Sequence, residues 1–171
     1  MNGNGITINT FDLQSATSTT FKLNGELKGI NCDFTGKTIK FEGGEMKCTT
    51  LTTNAATQIT LKTNIFEIET FTSSGNQIKI EGGDLTITKT MSLSSETEII
   101  MSNDKTISIP TCEFKSKKIA LTSGIMKCTT EMQIDDGTAI TNTGTIEIEK
   151  LKSTEKDVKI NGNGVTIKSF E

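Results

Sequence analysis

The sequence predicts an all-β protein: a single-stranded parallel β-helix, wound as a triangular solenoid of about eight turns of about 20 residues. Three observations predict it. The chain is rich in Thr and Ile, apolar residues recur in pairs separated by one residue, and those pairs return at two nested periods. β-branched side chains suit pleated, half-buried strands better than helices. A spacing of two places both members of a pair on one strand face.

The first strand of each unit carries the clearest pair. It reads Ile6/Ile8, Leu27/Gly29, Met46/Cys48, Phe66/Ile68, Leu85/Ile87, Ile107/Ile109, Met126/Cys128, Ile146/Ile148 and Val165/Ile167. Successive starting positions lie 19 to 22 residues apart. The second strand follows within a few residues and shows Phe11/Leu13, Cys32/Phe34, Met91/Leu93, Cys112/Phe114 and Met132/Ile134. The third follows a polar stretch: Phe21/Leu23, Ile39/Phe41, Ile59/Leu61, Ile78/Ile80, Ile99/Met101, Ile119/Leu121 and Val158/Ile160. The weakest copy is TAITN (138–142), where Ala139 or Ile140 faces in.

Three short strands per 20 residues, always in the same phase, fit a coil whose equivalent strands stack in parallel from turn to turn. The corners agree. NGEL, EGGEM, EGGDL, TSGI and NTGT precede the first strand and carry the Gly, Asn and Asp that tight turns use. Crossover chirality favours a right-handed coil.

The longer period is 80 residues. CDFTGKTIKFEGGEMKCTT (32–50) matches CEFKSKKIALTSGIMKCTT (112–130), and QIKIEGGDLTI (77–87) matches DVKINGNGVTI (157–167). The chain therefore reads as one domain, 1–171. Blocks of about 2–81 and 82–161 precede a partial ninth turn at 162–171, so the closing NGNGVTIKSF repeats the opening NGNGITINTF.

Composition narrows function. A net charge of −3 with interspersed Lys and Glu, and no Arg, Trp or Tyr, argues against a nucleic-acid surface. No apolar run approaches membrane-spanning length, and no secretory signal is visible at the N-terminus. Catalysis needs convergent acids or a metal with a base. Here Glu67/Glu69, Glu147/Glu149 and Asp135-Asp136 are scattered, and His is absent, so a non-catalytic protein without metal or cofactor is expected. The EGGE (42–45) and EGGD (81–84) corners lack the successive GGxGxD repeats of a calcium β-roll.

The outward residue of the first strand runs Thr7, Lys28, Lys47, Glu67, Thr86, Ser108, Lys127, Glu147, Thr166, a charged column suited to solubility and lateral pairing rather than to ice. A column of Thr10, Thr50, Thr70, Thr90, Thr111 and Thr130 is expected at the corner before the second strand. Cys32, Cys48, Cys112 and Cys128 fall in inward slots. As small free core thiols they lean toward a reducing, cytoplasmic setting, and a Cys32–Cys48 bridge between neighbouring turns is the alternative. With no His and no close Cys pair, zinc is not expected.

Solenoids ordinarily seal their terminal turns. This repeat occupies the chain to both ends, so Ile6, Ile8, Phe11 and Leu13 at one end and Val165, Ile167 and Phe170 at the other are expected to drive end-to-end self-association. A short triangular β-helix with about six inward residues per turn resembles the bactofilins, which implies a cytoskeletal filament former whose partner is itself. GGDLTITKT (82–90) also resembles the repeats of filamentous-haemagglutinin-type adhesins, which implies a surface fibre, spike or adhesin segment.

Overall fold

The computed structural model describes residues 5–12, 18–62, 65–80, 84–102, 105–115, 118–135, 138–154 and 159–171. Among them every regular element is a strand, and every strand pairing is parallel. In chain order the strands are β1 (Ile6–Asp12), β2 (Ser18–Lys22), β3 (Glu26–Asp33), β4 (Thr38–Glu42) and β5 (Glu45–Lys62). Next come β6 (Ile65–Ile80), β7 (Asp84–Leu93), β8 (Thr97–Met101), β9 (Thr106–Phe114) and β10 (Lys118–Thr122). The last are β11 (Ile125–Ile134), β12 (Ala139–Asn142), β13 (Thr145–Ser153), β14 (Lys159–Gly162) and β15 (Val165–Phe170).

The strands form a parallel β-solenoid. One column of rungs runs β1-β3-β5-β6-β7-β9-β11-β13-β15. The other runs β2-β4, the later parts of β5 and β6, then β8-β10-β12-β14. In β7, β9 and β11 the first and second pairs lie on one continuous strand bent at a corner. In β5 and β6 the strand continues through the third pair as well. Like stacks on like: Leu27 pairs with Met46, Met46 with Phe66, and Phe66 with Leu85. Their side chains are 0–2 % exposed, which places the dry axis inside the coil.

Corners are set by glycine. A Cβ on Gly44, at φ +52°, would lie 2.5 Å from the carbonyl oxygen of Gly25 on the turn before. A Cβ on Gly144 would lie 2.4 Å from that of Gly124. Successive turns approach too closely there for any side chain.

Several pairs differ from the sequence reading. In the second rung of the third-strand column Ile39 and Phe41 point inward, and their register partners are Thr19 and Phe21, so the first pair is Thr19/Phe21 rather than Phe21/Leu23. Leu23 is buried one step later, under Gly44. In the weakest copy Ile140 and Asn142 are buried while Ala139 is half-buried. Asn142 fills an apolar slot because its amide donates to the Gly144 and Asn163 carbonyls at 2.9 Å and accepts from the Gly144 N–H at 2.8 Å. Ile160 and Gly162 lie above that pair, and Val158 lies outside the described residues. The threonine column holds from Thr50 to Thr111, but Asn31 stands between Thr10 and Thr50 and Glu131 faces Thr111. One extra corner residue in β11 moves Thr130 out of line, as a β-bulge does.

Candidate functional site

Six of the seven residues expected to drive assembly fall at opposite extremities of the first column. At one, Ile6 and Ile8 are half-buried against the core, paired with Leu27 and Gly29. Phe11 pairs with Cys32 through the backbone register, and Leu13 lies outside the described residues. At the other, Val165, Ile167 and Phe170 stack on Ile146, Ile148 and Leu151. Ile167 is 39 % and Phe170 66 % exposed, whereas Leu151 beneath Phe170 is 1 % exposed. The rung β15 thus repeats the inward pattern of the core with its own outer edge open among the described residues.

Lys28–Glu26 and Lys40–Glu42 pair within a strand, and the other bridges described join neighbouring turns. Lys47 reaches Glu26 at 3.1 Å, Lys127 reaches Glu147 at 2.9 Å, and Lys152 reaches Glu131 at 2.8 Å. At the β15 end Lys168 pairs with Glu149 at 2.6 Å, and Lys150 pairs with Glu171. Hydrogen bonds from Lys28 and Lys47 hold the Glu26 carboxyl below its ordinary range, and Lys152 with Gln133 does the same for Glu131. Shallow grooves recur at equivalent corners of the two blocks, one bordered by Lys47, Thr49, Glu67 and Glu69, the other by Lys127, Thr129, Glu147 and Glu149. Among the described residues no group of three or more His, Cys, Asp or Glu is placed to hold a metal ion. Most of the EGGD corner, 81–83, lies outside them, as does Asp136.

All four cysteines are buried, and all four are bonded. Cys32 pairs with Cys48 and Cys112 with Cys128, with Cα–Cα distances of 6.2 and 6.1 Å. This corrects the free-thiol expectation. The physical reason is the register: Cys48 sits on the rung of Gly29, and Cys32 on the rung of Leu51, so the two sulfurs meet across the corner shared by adjacent turns. The same relationship returns one block later.

No family model, curated protein or solved structure matches this chain. Fold and surface are the ground for a functional reading. No helix among the described residues is long and apolar enough to cross a membrane.

One class of surface residue was missed in the sequence. Ile65, 38 % exposed, and the half-buried Ile125 precede the inward pair of their strands and point away from the axis. The signal was present: each is an apolar residue at an odd phase of a period-two pattern.

Proposed function

We propose that this chain is a non-catalytic structural rod that assembles end to end with copies of itself. The observation that supports this most is the outer face of β15, where Ile167 and Phe170 continue the core column into solvent. A parallel edge with an apolar inner row is completed by another rung of the same kind. The first rung of a second copy supplies one, since β1 carries Ile6 and Ile8 in the slots that Val165 and Ile167 occupy. Apolar residues stack on apolar residues along most of the first-strand column, which makes a homotypic joint chemically consistent.

Negative-stain electron microscopy of the purified protein tests this. Filaments are expected from the parent and none from Phe170→Arg, a substitution at an exposed site that leaves the coil folded. Equal filament formation by both proteins would contradict the role of this end.

A second reading, a segment of a surface fibre or adhesin, is favoured by the two disulfides. Such bonds persist in oxidising compartments and are rare in the cytosol. They move the preferred location away from the cytoplasm, for a filament as much as for an adhesin. Alkylation of the protein in its source cells, followed by mass spectrometry, distinguishes the settings: protected cysteines support an extracellular rod, alkylated ones an intracellular filament.

A further inference from the structure

We propose that a lateral face of the rod pairs two copies in antiparallel fashion, about a two-fold axis lying between β7 and β9. This surface is separate from the ends. It is the outward side of the first-strand column, whose middle residues are Lys47, Glu67, Thr86, Ser108, Lys127 and Glu147 on consecutive rungs.

Laying this face on a copy of itself, with the axis along the strands, inverts the order of rungs and keeps each column opposite its own counterpart. Rung β5 then opposes β13 of the second copy, β6 opposes β11, and β7 opposes β9. Lys47 meets Glu147 of the second copy, and Glu67 meets Lys127. Thr86 meets Ser108 at the centre. Because the contact is isologous, each charge pair occurs twice.

The neighbouring column follows the same register without being required to. Ile65 falls opposite Ile125 of the second copy, again twice, while Glu45 meets Thr145. At the corner Glu69 meets Thr129 and Glu149 meets Thr49. No like charges oppose one another. Moving the axis by half a rung destroys the match: one direction sets Lys47 against Lys127, the other Glu67 against Glu147. Side-by-side parallel packing in register sets every Lys on its own copy. One arrangement therefore gathers opposite charges and buries Ile65 with Ile125, while Ile30, 45 % exposed on β3, falls opposite Lys168 of the second copy.

Existing surface bridges fall within it, and Lys47, already 3.1 Å from Glu26, would share its charge with Glu147 of the second copy. Lys127 already holds Glu147 at 2.9 Å on the surface. In the pair the two would face Lys47 and Glu67 of the second copy, forming an alternating quartet in place of one exposed bridge. Eight shared rungs at about 4.8 Å, and a strip about 15 Å wide, give a contact of about 1,100 Å² in total. That lies at the low end for specific interfaces, so the pair is transient and weakened by salt.

Sedimentation velocity on the Phe170→Arg protein, which removes end-to-end growth, isolates this contact. A concentration-dependent dimer is expected at low salt. Ile65→Lys and Ile125→Glu, each added alone, are expected to raise its dissociation constant at least about tenfold, because each buries a charge against isoleucine. Mixing the two variants is expected to restore dimer. The introduced ammonium of one chain would face the introduced carboxylate of the other, while the second contact keeps two isoleucines. A monomer at all concentrations, single variants as dimeric as their parent, or a mixture no tighter than its components would each overturn the proposal. Circular dichroism of the single variants identifies any that fail to fold, and the mixture of folded chains then decides.

Discussion

The hydroxyl of Thr57 donates a 2.9 Å hydrogen bond to the carbonyl oxygen of Phe34, 23 residues earlier on the preceding turn. The hydroxyl oxygen in turn accepts from the Gly36 and Asn54 N–H groups at 3.1 Å. One fully buried side chain thereby fixes a corner. Thr138 repeats the bond to Phe114 at 3.0 Å in the second block. Four residues before Thr57, the equally buried Thr53 has a hydroxyl that finds no partner among the described residues.

One substitution should thus act with opposite sign at the two positions. Thr57→Val is expected to destabilise by about 1 kcal/mol, because it deletes the bond to the Phe34 carbonyl and the acceptor of the Asn54 N–H, while Phe34 still accepts from the Lys37 N–H and Gly36 still donates to Asn54 Oδ1. Thr53→Val removes an unpaired hydroxyl from the apolar axis and is expected to be neutral or to stabilise by up to about 1 kcal/mol. Urea unfolding midpoints of the two variants check both signs.

The disulfides should act as staples between turns. Each joins residues separated by 16 in sequence, and closing a loop of that size stabilises by about 3 kcal/mol in the chain-entropy account. Unfolding with and without reductant is expected to differ by up to about twice that value. The change should also appear in Cys32→Ala and Cys112→Ala singly.

Gly29 should be tied to the first staple alone. A Cβ there would stand 2.5 Å from the Cys32 sulfur, which the bond to Cys48 holds in place. Gly29→Ala is expected to cost about 1–3 kcal/mol with Cys32 present and much less in Cys32→Ala, a coupling that a double-mutant cycle reads directly. Ile109 stands at the equivalent rung of the second block, so the two staples have different surroundings.

Acid should loosen the surface ion pairs, both those within a strand, such as Lys40–Glu42, and those between turns, such as Lys152–Glu131. Glu26, Glu42, Glu131 and Glu171 all have carboxyls lowered from 4.5, chiefly by hydrogen bonds from lysines. A carboxylate depressed in the folded state contributes stability above its unfolded pKa, and that contribution is lost as pH falls through the folded value. Tm is therefore expected to hold from neutrality to about pH 4.5 and to fall below it, gently because these groups are exposed. Glu26→Gln should flatten that fall, and added salt should flatten it further.

Much of the fold was legible because it rests on repetition. Period-two pairs and an 80-residue duplication place Leu27, Met46 and Phe66 on one axis without reference to any contact. What escaped depends on relationships between turns. Asn142 reads as a corner residue until three hydrogen bonds supply its burial. Thr53 and Ser73 fill inward slots between Phe34 and Leu93, where polarity alone points outward. Each cysteine was correctly placed inside, yet its partner is fixed by the offset between adjacent rungs, which a single unit does not contain. Of the two proposed assembly surfaces, the end residues follow from the repeat pattern, whereas the lateral register depends on how the rungs pair.

The most direct test is cryo-electron microscopy of the unmodified protein at high concentration. End-to-end growth of a nine-rung column predicts filaments with strands perpendicular to the axis, a layer spacing of about 4.8 Å and an axial subunit repeat of about 43 Å. Isolated particles that never lengthen, or filaments whose strands run along the axis, would contradict it.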